Sequence, residues 1–191
     1  MAELLSQRKL QNLYSKEIRG LSESEVKNRV REKRVSEETP SFSNLTIFLS
    51  HSHKDKLIVE KIGLLFSKLS IDLYVDWLDV TLPQETNHMT ALKIKEKIER
   101  CNKFLFLATY FGVRSKWCNW EIGIADSSKG SQNIAILPIA SYKGNWAGNE
   151  YLDIYSELQI ESQDLGDLNI NDITVSTTSG ESIAFYEWIQ T

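Results

Sequence analysis

The composition of this 191-residue chain excludes several classes of protein before any motif is considered. The formal net charge is −4 and charged residues make up 25%, so no overall positive field draws the chain onto nucleic acid or an acidic membrane surface. The length suits one domain of ordinary size with an appendage. We therefore expect neither nucleic acid nor a membrane as a partner.

The cysteines and the N-terminal residues favour a reducing compartment. Cys101 and Cys118 form no CxxC pair, and the N-terminus is charged and amphipathic rather than a short apolar leader. The longest apolar runs, such as FLFLA at 104–108, fall far short of the roughly 20 residues that span a bilayer. These features predict a cytoplasmic protein.

The first 44 residues predict a helical extension that ends in a linker. Apolar and aromatic side chains recur there at helical spacing, at Leu10, Leu13, Tyr14, Ile18, Val26 and Val30. The polar segment 36–44 contains Pro40 and follows the end of that periodicity, which is typical of a hinge. We therefore divide the chain into an extension and linker at 1–44 and a main domain at 45–191.

From residue 45 onward, short apolar strands alternate with helical stretches. Strands are predicted at 45–50, 71–76, 103–108 and 134–139. Helices are predicted at 58–69, around 92–98 and from Trp117 to about 127. The alternation predicts a parallel sheet with helices on both faces. Beyond Pro138 the patterns are weaker and indicate a short helix at 151–158, a short strand at 171–175 and a closing helix at 181–191.

His51 and His53, one residue apart at the end of the first predicted strand, raise the question of a metal site. A catalytic zinc needs at least a third ligand, and the cysteines are distant in the chain. The competing interpretation is that Ser52 begins a helix and Asp55, three residues on, completes a capping box. Ser50, His51 and Ser52 would then form a turn at a helix N-terminus, where free N–H groups favour an anion. We predict no metal.

Neither a nucleotide-binding glycine loop nor a reactive cysteine is indicated. The patterns GxGxxG and GxxxxGK[ST] are absent from the sequence, which argues against a Rossmann dehydrogenase and a P-loop NTPase. Cys118 stands beside Trp117 and Asn119, with no base among its neighbours, and small buried thiols usually serve packing.

The segment SKWCNWEIGIA at 115–125 carries the most informative pair of side chains. Trp117 and Glu121 are four residues apart and lie on one face of a helix. One interpretation is a plain helix start, with Ser115 as its N-cap and Glu121 on the surface. The other is a ligand site, because this helix begins just past the carboxyl end of a buried strand, where open α/β sheets bind ligands.

Taken together, these motifs resemble a TIR domain over about residues 45–140, with weaker agreement towards the C-terminus. The segments that carry the resemblance are TIFLSHSHKDK, LYVDWLD, KIERCNKFLFLATYF, SKWCNWEIGIA and ILPI, in the order typical of the family. The resemblance implies a flavodoxin-like sheet in the order 2-1-3-4-5, flanked by helices and preceded here by the helical extension. The first turn and the helix bearing Glu121 would then flank one cleft.

Enzymatic TIR domains cleave NAD+ at the nicotinamide glycosidic bond, and the resemblance assigns the catalytic carboxylate to Glu121. The nicotinamide group of NAD+ is a cationic pyridinium and departs as a neutral molecule, so its departure needs no general acid. One carboxylate can therefore suffice where glycosidases need two. For substrate binding we expect flat faces from Trp117 and Trp77, contacts to the pyrophosphate or a ribose from Ser50, His51 and Ser52, and a weaker contribution from Asp76. NAD+ would be a substrate, and no cofactor is expected.

The arrangement is similar to stand-alone prokaryotic TIR proteins of Thoeris-type antiviral systems. The resemblance implies an ADP-ribose-derived signal, cyclic or conjugated, that a separate effector protein senses, and self-association through TIR–TIR contacts. The nature of the attacking nucleophile decides among ADP-ribose, a cyclic form and a conjugate, and the sequence does not choose among them. The alternative hypothesis is a non-catalytic TIR interaction or adaptor module.

Overall fold

The computed structural model of the protein describes residues 4–17, 25, 45–76, 88–146, 148–162 and 167–191. The strands are β1 (Leu5–Ser6), β2 (Thr46–Ser50), β3 (Asp72–Tyr74), β4 (Lys103–Ala108), β5 (Ile134–Ala140), β6 (Ser156–Ile160), β7 (Ile173–Ser176) and β8 (Ser182–Ala184). The helices are α1 (Gln7–Glu17), α2 (Lys56–Lys68), α3 (His88–Arg100), α4 (Tyr110–Arg114), α5 (Lys116–Lys129) and α6 (Phe185–Gln190). None of the described helices is both long enough and apolar enough to cross a membrane.

One sheet runs through the whole domain in the order β3-β2-β4-β5-β6-β7-β8. The pairs from β3 to β6 are parallel, whereas β6–β7 and β7–β8 are antiparallel. Counting strands from β2, the five parallel strands follow the order 2-1-3-4-5, so the predicted flavodoxin-like architecture is confirmed. The two antiparallel strands extend this sheet at its far edge.

The sheet separates two hydrophobic layers because consecutive side chains on a strand point to opposite faces. In β2, Ile47 and Leu49 belong to the layer under α1, α2 and α6, whereas Phe48 belongs to the layer under α3 and α5. Every residue of β4 and β5 is buried, as expected for central strands that are covered on both sides. Phe48 stacks on Phe104, with ring centroids 5.5 Å apart and the rings nearly parallel, which fixes the register of β2 against β4.

Residues 5–17 share the core of the main domain. Strand β1 pairs in parallel with β5, with Leu5 opposite Ile139, and Leu10 on α1 is fully buried. The ammonium group of Lys61 on α2 donates a 2.7 Å hydrogen bond to the Gln11 side chain. The N-terminal helix is thus a structural layer of the domain, while the linker predicted at 36–44 lies outside the described residues.

Two C-terminal predictions were wrong in part. The segment predicted as a short helix at 151–158 forms a 3-10 turn at Glu150–Ile154 and then enters β6, and the predicted closing helix begins only after β8. In β6, Leu158 and Ile160 are buried and alternate with less buried residues, so sheet pairing determines the conformation there. The strand predicted at 171–175 is confirmed as β7.

Candidate active site

The site lies at the switch point of the sheet, where the strand order reverses, at the carboxyl ends of β2 and β4. These two strands are adjacent and parallel, with Ser50 opposite Phe106, yet β3 lies on the other side of β2 and β5 on the other side of β4. Neighbouring connections therefore leave towards opposite faces of the sheet and open a crevice between them. The turn after β2 and the N-terminal turns of α5 form the two sides of this crevice.

Glu121 on α5 is buried in this crevice, with only 2% of its surface exposed. The hydroxyl of Ser50 donates a 2.6 Å hydrogen bond to its Oε2 atom, and the Trp117 side chain also donates to the carboxylate. Ser115 starts the helix by accepting a hydrogen bond from the Cys118 amide, which places Trp117 and Glu121 one turn apart on the same face, as the sequence predicted. The interpretation of Glu121 as a surface residue was wrong.

Burial raises the pKa of Glu121 to about 8. The hydrogen bonds from Ser50 and Trp117 act in the opposite direction, and the nearby negative charge of Asp76 raises the pKa further. With no positive charge beside it, the carboxyl is therefore mostly protonated at neutral pH. A positively charged ligand beside it would stabilise the ionised form, since an opposite charge within a few ångströms favours the carboxylate.

His51 follows Ser50 and contacts a second carboxylate. Its ring atom Nδ1 lies 3.0 Å from the carbonyl oxygen of Leu49, so Nδ1 carries a proton and donates it to that acceptor. Its Nε2 atom lies 3.3 Å from Oδ1 of Asp76, two residues past β3, but makes no hydrogen bond of good geometry with the described residues. The imidazole is almost fully buried, whereas the Asp76 side chain retains 13% exposure.

The capping box predicted for Ser52 and Asp55 was wrong. Ser52 caps a short 3-10 turn at His53–Asp55 by accepting from the Lys54 amide, and α2 begins only at residue 56. The carboxylate of Asp55 does not reach back to the start of the turn, because it accepts a 2.5 Å hydrogen bond from the Thr109 hydroxyl instead. Burial raises the pKa of Asp55, and the Thr109 bond and the charge of His51 oppose this.

Thr109 and Trp146 are two site residues that the sequence did not indicate. Thr109 follows β4 directly, bonds Asp55 and caps α4 by accepting from the Gly112 amide. A Thr at the end of a strand with Gly three residues later is a signal that local inspection can recover. The indole of Trp146 donates a 2.6 Å hydrogen bond to the Ala108 carbonyl oxygen at the end of β4, across 38 residues, and no local pattern indicates it.

The chemistry of the remaining candidates is also apparent from their surroundings. Cys118 is fully buried, and burial together with the charge of Glu121 raises the pKa of its thiol to about 12, which leaves no thiolate for nucleophilic attack. His53 is exposed. The part of the chain that the structure describes contains no group of three or more His, Cys, Asp or Glu side chains arranged to hold a metal ion.

Of the seven predicted site residues, the structure brings five together in one crevice, places a sixth on the adjoining turn and does not describe the seventh. Glu121, Ser50 and Trp117 are joined by hydrogen bonds, and His51 contacts Asp76 beside them. Ser52 follows on the same turn. Trp77 lies outside the described residues. Trp117 also packs against Trp120, with ring centroids 4.9 Å apart, so a partly exposed indole surface borders the carboxylate.

A flavodoxin-like sheet with a buried, hydrogen-bonded glutamate at its switch point defines the class of this protein. The family model for the TIR domain matches residues 47–168, which is most of the chain, and the protein belongs to that family. It is similar to a protein from Bacillus cereus (strain MSX-D12) named probable 3' cyclic ADP-D-ribose synthase ThsB', with 28% identity over 148 residues that cover 75% of each chain.

A second relative is from Cytobacillus dafuensis and is named putative cyclic ADP-D-ribose synthase TIR2. The identity is 27% over 116 residues, which cover 52% of this chain but only 31% of that protein. The two names concern the same class of product.

Proposed function

We propose that this protein cleaves NAD+ at the bond between nicotinamide and ribose and releases a cyclic ADP-ribose-type product. The observation that carries this proposal is the buried carboxylate of Glu121, fixed by Ser50 and Trp117 at the switch point of the sheet. A surface or packing role does not account for a glutamate buried to this extent, because burying an ionisable group is unfavourable unless its surroundings are arranged for it.

The chemistry of NAD+ fits a cleft with these properties. As the glycosidic bond breaks, its electron pair moves to the ring nitrogen of nicotinamide, which leaves neutral, and positive charge develops at the anomeric carbon. A carboxylate next to that carbon stabilises the developing charge, and a site that excludes water strengthens the interaction. The cationic substrate favours the ionised form of Glu121, so binding would charge the carboxylate at the point where it is needed.

The indole surface next to the carboxylate fits the remainder of the substrate. Trp117 and Trp120 present partly exposed ring faces, and aromatic faces bind flat rings and cationic rings well. Ser50, His51 and Ser52 lie on the turn opposite, where the Ser52 hydroxyl can donate to a ribose or pyrophosphate oxygen. The names of the two relatives, which are both cyclic ADP-ribose synthases, support a cyclic product.

Incubation of the purified full chain with NAD+, followed by chromatography of nicotinamide and the nucleotide products, tests the proposal. We expect nicotinamide release by the wild-type protein and its loss in Glu121→Gln. Thermal unfolding of the two proteins should be similar at about pH 4, where the Glu121 carboxyl is mostly protonated in both the folded and the unfolded chain. Turnover that persists in Glu121→Gln would contradict the assignment of Glu121. The incubation is repeated at high protein concentration, because TIR–TIR self-association is part of the proposal.

We further propose that the nucleotide product is a signal in antiviral defence and acts on a separate effector protein. Product that accumulates only in lysates of phage-infected cells would support this role. A TIR module that only recruits other proteins is the competing function, and it predicts no nicotinamide release from concentrated protein in infected lysate.

A further inference from the structure

The crevice holds a second carboxylate, that of Asp76. Cleavage of the glycosidic bond, as proposed above, uses the Glu121 carboxylate and assigns no role to Asp76. Asp76 follows β3, and its charge is felt by Glu121 on the other side of the switch point. The leaving nicotinamide needs no proton. Where the attacking group is a hydroxyl, of water or of a ribose of the substrate, the proton that it loses as its oxygen bonds to the anomeric carbon has to be accepted by a base.

We propose that Asp76, supported by His51, is the base that takes this proton, so that the two carboxylates of the cleft have separate tasks. The inference rests on the proposed function. As the oxygen of the attacking hydroxyl forms its bond to the anomeric carbon, its O–H bond breaks and the proton passes to the Asp76 carboxylate. Glu121 remains ionised and stabilises the positive charge of the sugar.

The contact between His51 and Asp76 is arranged to accept one proton. Because Nδ1 of His51 donates to the Leu49 carbonyl oxygen, the ring in its neutral form presents a lone pair at Nε2, 3.3 Å from Oδ1 of Asp76. A lone pair and a carboxylate oxygen at this distance repel one another, and the buried Nε2 atom makes no hydrogen bond with the described residues. A proton taken up by the pair replaces this repulsion with a hydrogen bond: an O–H···N bond while the proton stays on Asp76, and a charge-assisted N–H···O bond when it passes to Nε2 of His51.

Burial distinguishes the roles of the two residues. The His51 side chain is only 2% exposed, so it acts through Asp76 and is a positioning residue. Asp76 is 13% exposed and forms the accessible end of the pair. Of the other charged groups near the imidazole, Asp55 interacts electrostatically with His51, but its carboxylate is hydrogen-bonded by Thr109. Lys54 and His53, on the same turn, are exposed.

Azide tests this division of tasks because it attacks carbon without losing a proton. The full chain and its variants are incubated with NAD+ in the presence and absence of sodium azide, and nicotinamide, hydroxyl-derived products and the glycosyl azide are separated by chromatography. Asp76→Asn is expected to lower the rate of hydroxyl-derived product by about 100-fold or more, the usual contribution of a general base. Formation of the glycosyl azide is expected to fall by only a few-fold.

Two further variants complete the experiment. Glu121→Gln is expected to lose both reactions. His51→Gln is expected to lower kcat of the hydroxyl reaction by about 10-fold with little change in KM, and to leave formation of the glycosyl azide within a few-fold of the wild type. Thermal unfolding of each variant controls for folding.

The outcomes distinguish the possible failures. An Asp76→Asn variant that is folded and either keeps the hydroxyl reaction or loses both reactions equally would overturn the role of Asp76 as a base. If the wild-type protein releases no nicotinamide, either with azide or without it, the proposed function itself is overturned, and with it the role of Asp76.

Discussion

The hydroxyl of Ser50 donates a 2.6 Å hydrogen bond to the carboxylate of Glu121, 71 residues further along the chain. The bond joins the end of β2 to α5 across the switch point of the sheet. Because a hydrogen bond to a carboxylate favours its charged form, Ser50 opposes the effect of burial on the pKa of Glu121. The serine thereby sets the ionisation of Glu121 as well as its position.

Ser50→Ala is expected to raise the pKa of Glu121 further and to lower kcat/KM for NAD+ cleavage at pH 7 by about 10-fold, since the carboxylate loses a charge-assisted donor. The pH–rate profile should move to higher pH. Ser128→Ala, which removes a hydroxyl from the far end of α5, is a matched control and should leave the profile in place. An unshifted profile in Ser50→Ala would show that the bond does not control ionisation.

The wild-type enzyme is expected to show a kcat/KM that rises with pH up to about 8, because the free enzyme must ionise Glu121 and its pKa is about 8. The profile of kcat should begin its rise at lower pH, since the cationic substrate favours the carboxylate in the complex. Initial rates of nicotinamide release from pH 5 to pH 9 give both profiles. Identical profiles for the two constants would contradict the coupling between substrate charge and Glu121.

Glu121 is expected to make the fold less stable as pH rises. The pKa of Glu121 is raised in the folded state, so the native protein binds more protons than the unfolded chain between about pH 4.5 and 8. The free energy of unfolding should therefore fall across this window, with a slope on the order of 1 kcal/mol per pH unit from this group, and level off above it. Urea unfolding of wild type and Glu121→Gln at several pH values measures the difference, which should grow with pH in favour of the variant.

Thr109→Val is expected to destabilise the fold by about 1–3 kcal/mol, because the buried carboxyl of Asp55 and the Gly112 amide both lose their partner. Thr109→Ser keeps the hydroxyl and should retain most of the stability, which makes it the matched control. Chemical denaturation compares the three proteins. A loss of stability in Thr109→Ser with none in Thr109→Val would indicate that the methyl group of Thr109, and not its hydroxyl, matters.

Both cysteines are expected to resist alkylation in the folded protein at pH 8. Cys101 and Cys118 are buried, and the pKa of Cys118 is raised to about 12 by burial, so almost no thiolate forms there. Mass spectrometry after iodoacetamide treatment should find both thiols unmodified in buffer and both modified in urea. Rapid modification of native Cys118 would mean that the crevice opens far more than the structure indicates.

The N-terminal helix is expected to contribute substantially to stability. Leu10 on α1 is fully buried against the core, so Leu10→Ala should lower the free energy of unfolding by about 2–5 kcal/mol. Asn12→Ala changes an exposed residue of the same helix and should alter stability by no more than about 0.5 kcal/mol. Equal effects of the two substitutions on urea unfolding would show that α1 does not belong to the cooperative unit.

The sequence predicted the central fold because its strands have a simple signal. Strands β2, β4 and β5 are continuous apolar runs, which is what burial on both faces requires. At the edge of the sheet the signal fails. In β6, whose buried residues Leu158 and Ile160 alternate with less buried ones, neighbouring strands and not local preference determine the conformation.

The candidate site could be predicted only where its members share a local segment. Trp117 and Glu121 lie one turn apart, so their common face follows from helical spacing alone. The contacts that define the chemistry join distant segments: Ser50 to Glu121, and Thr109 to Asp55. No periodicity encodes such pairs, and for this reason the capping box that local spacing indicated was not the bond that Asp55 makes.

Ser50 and His51 are consecutive residues, yet one bonds Glu121 and the other contacts Asp76. A single peptide unit therefore contacts both carboxylates. A slip of β2 by one residue would remove both contacts at once. For protein engineers, this turn is a fixed point: substrate preference is better altered from α5, where the indole pair of Trp117 and Trp120 can change without altering the backbone that positions both carboxylates.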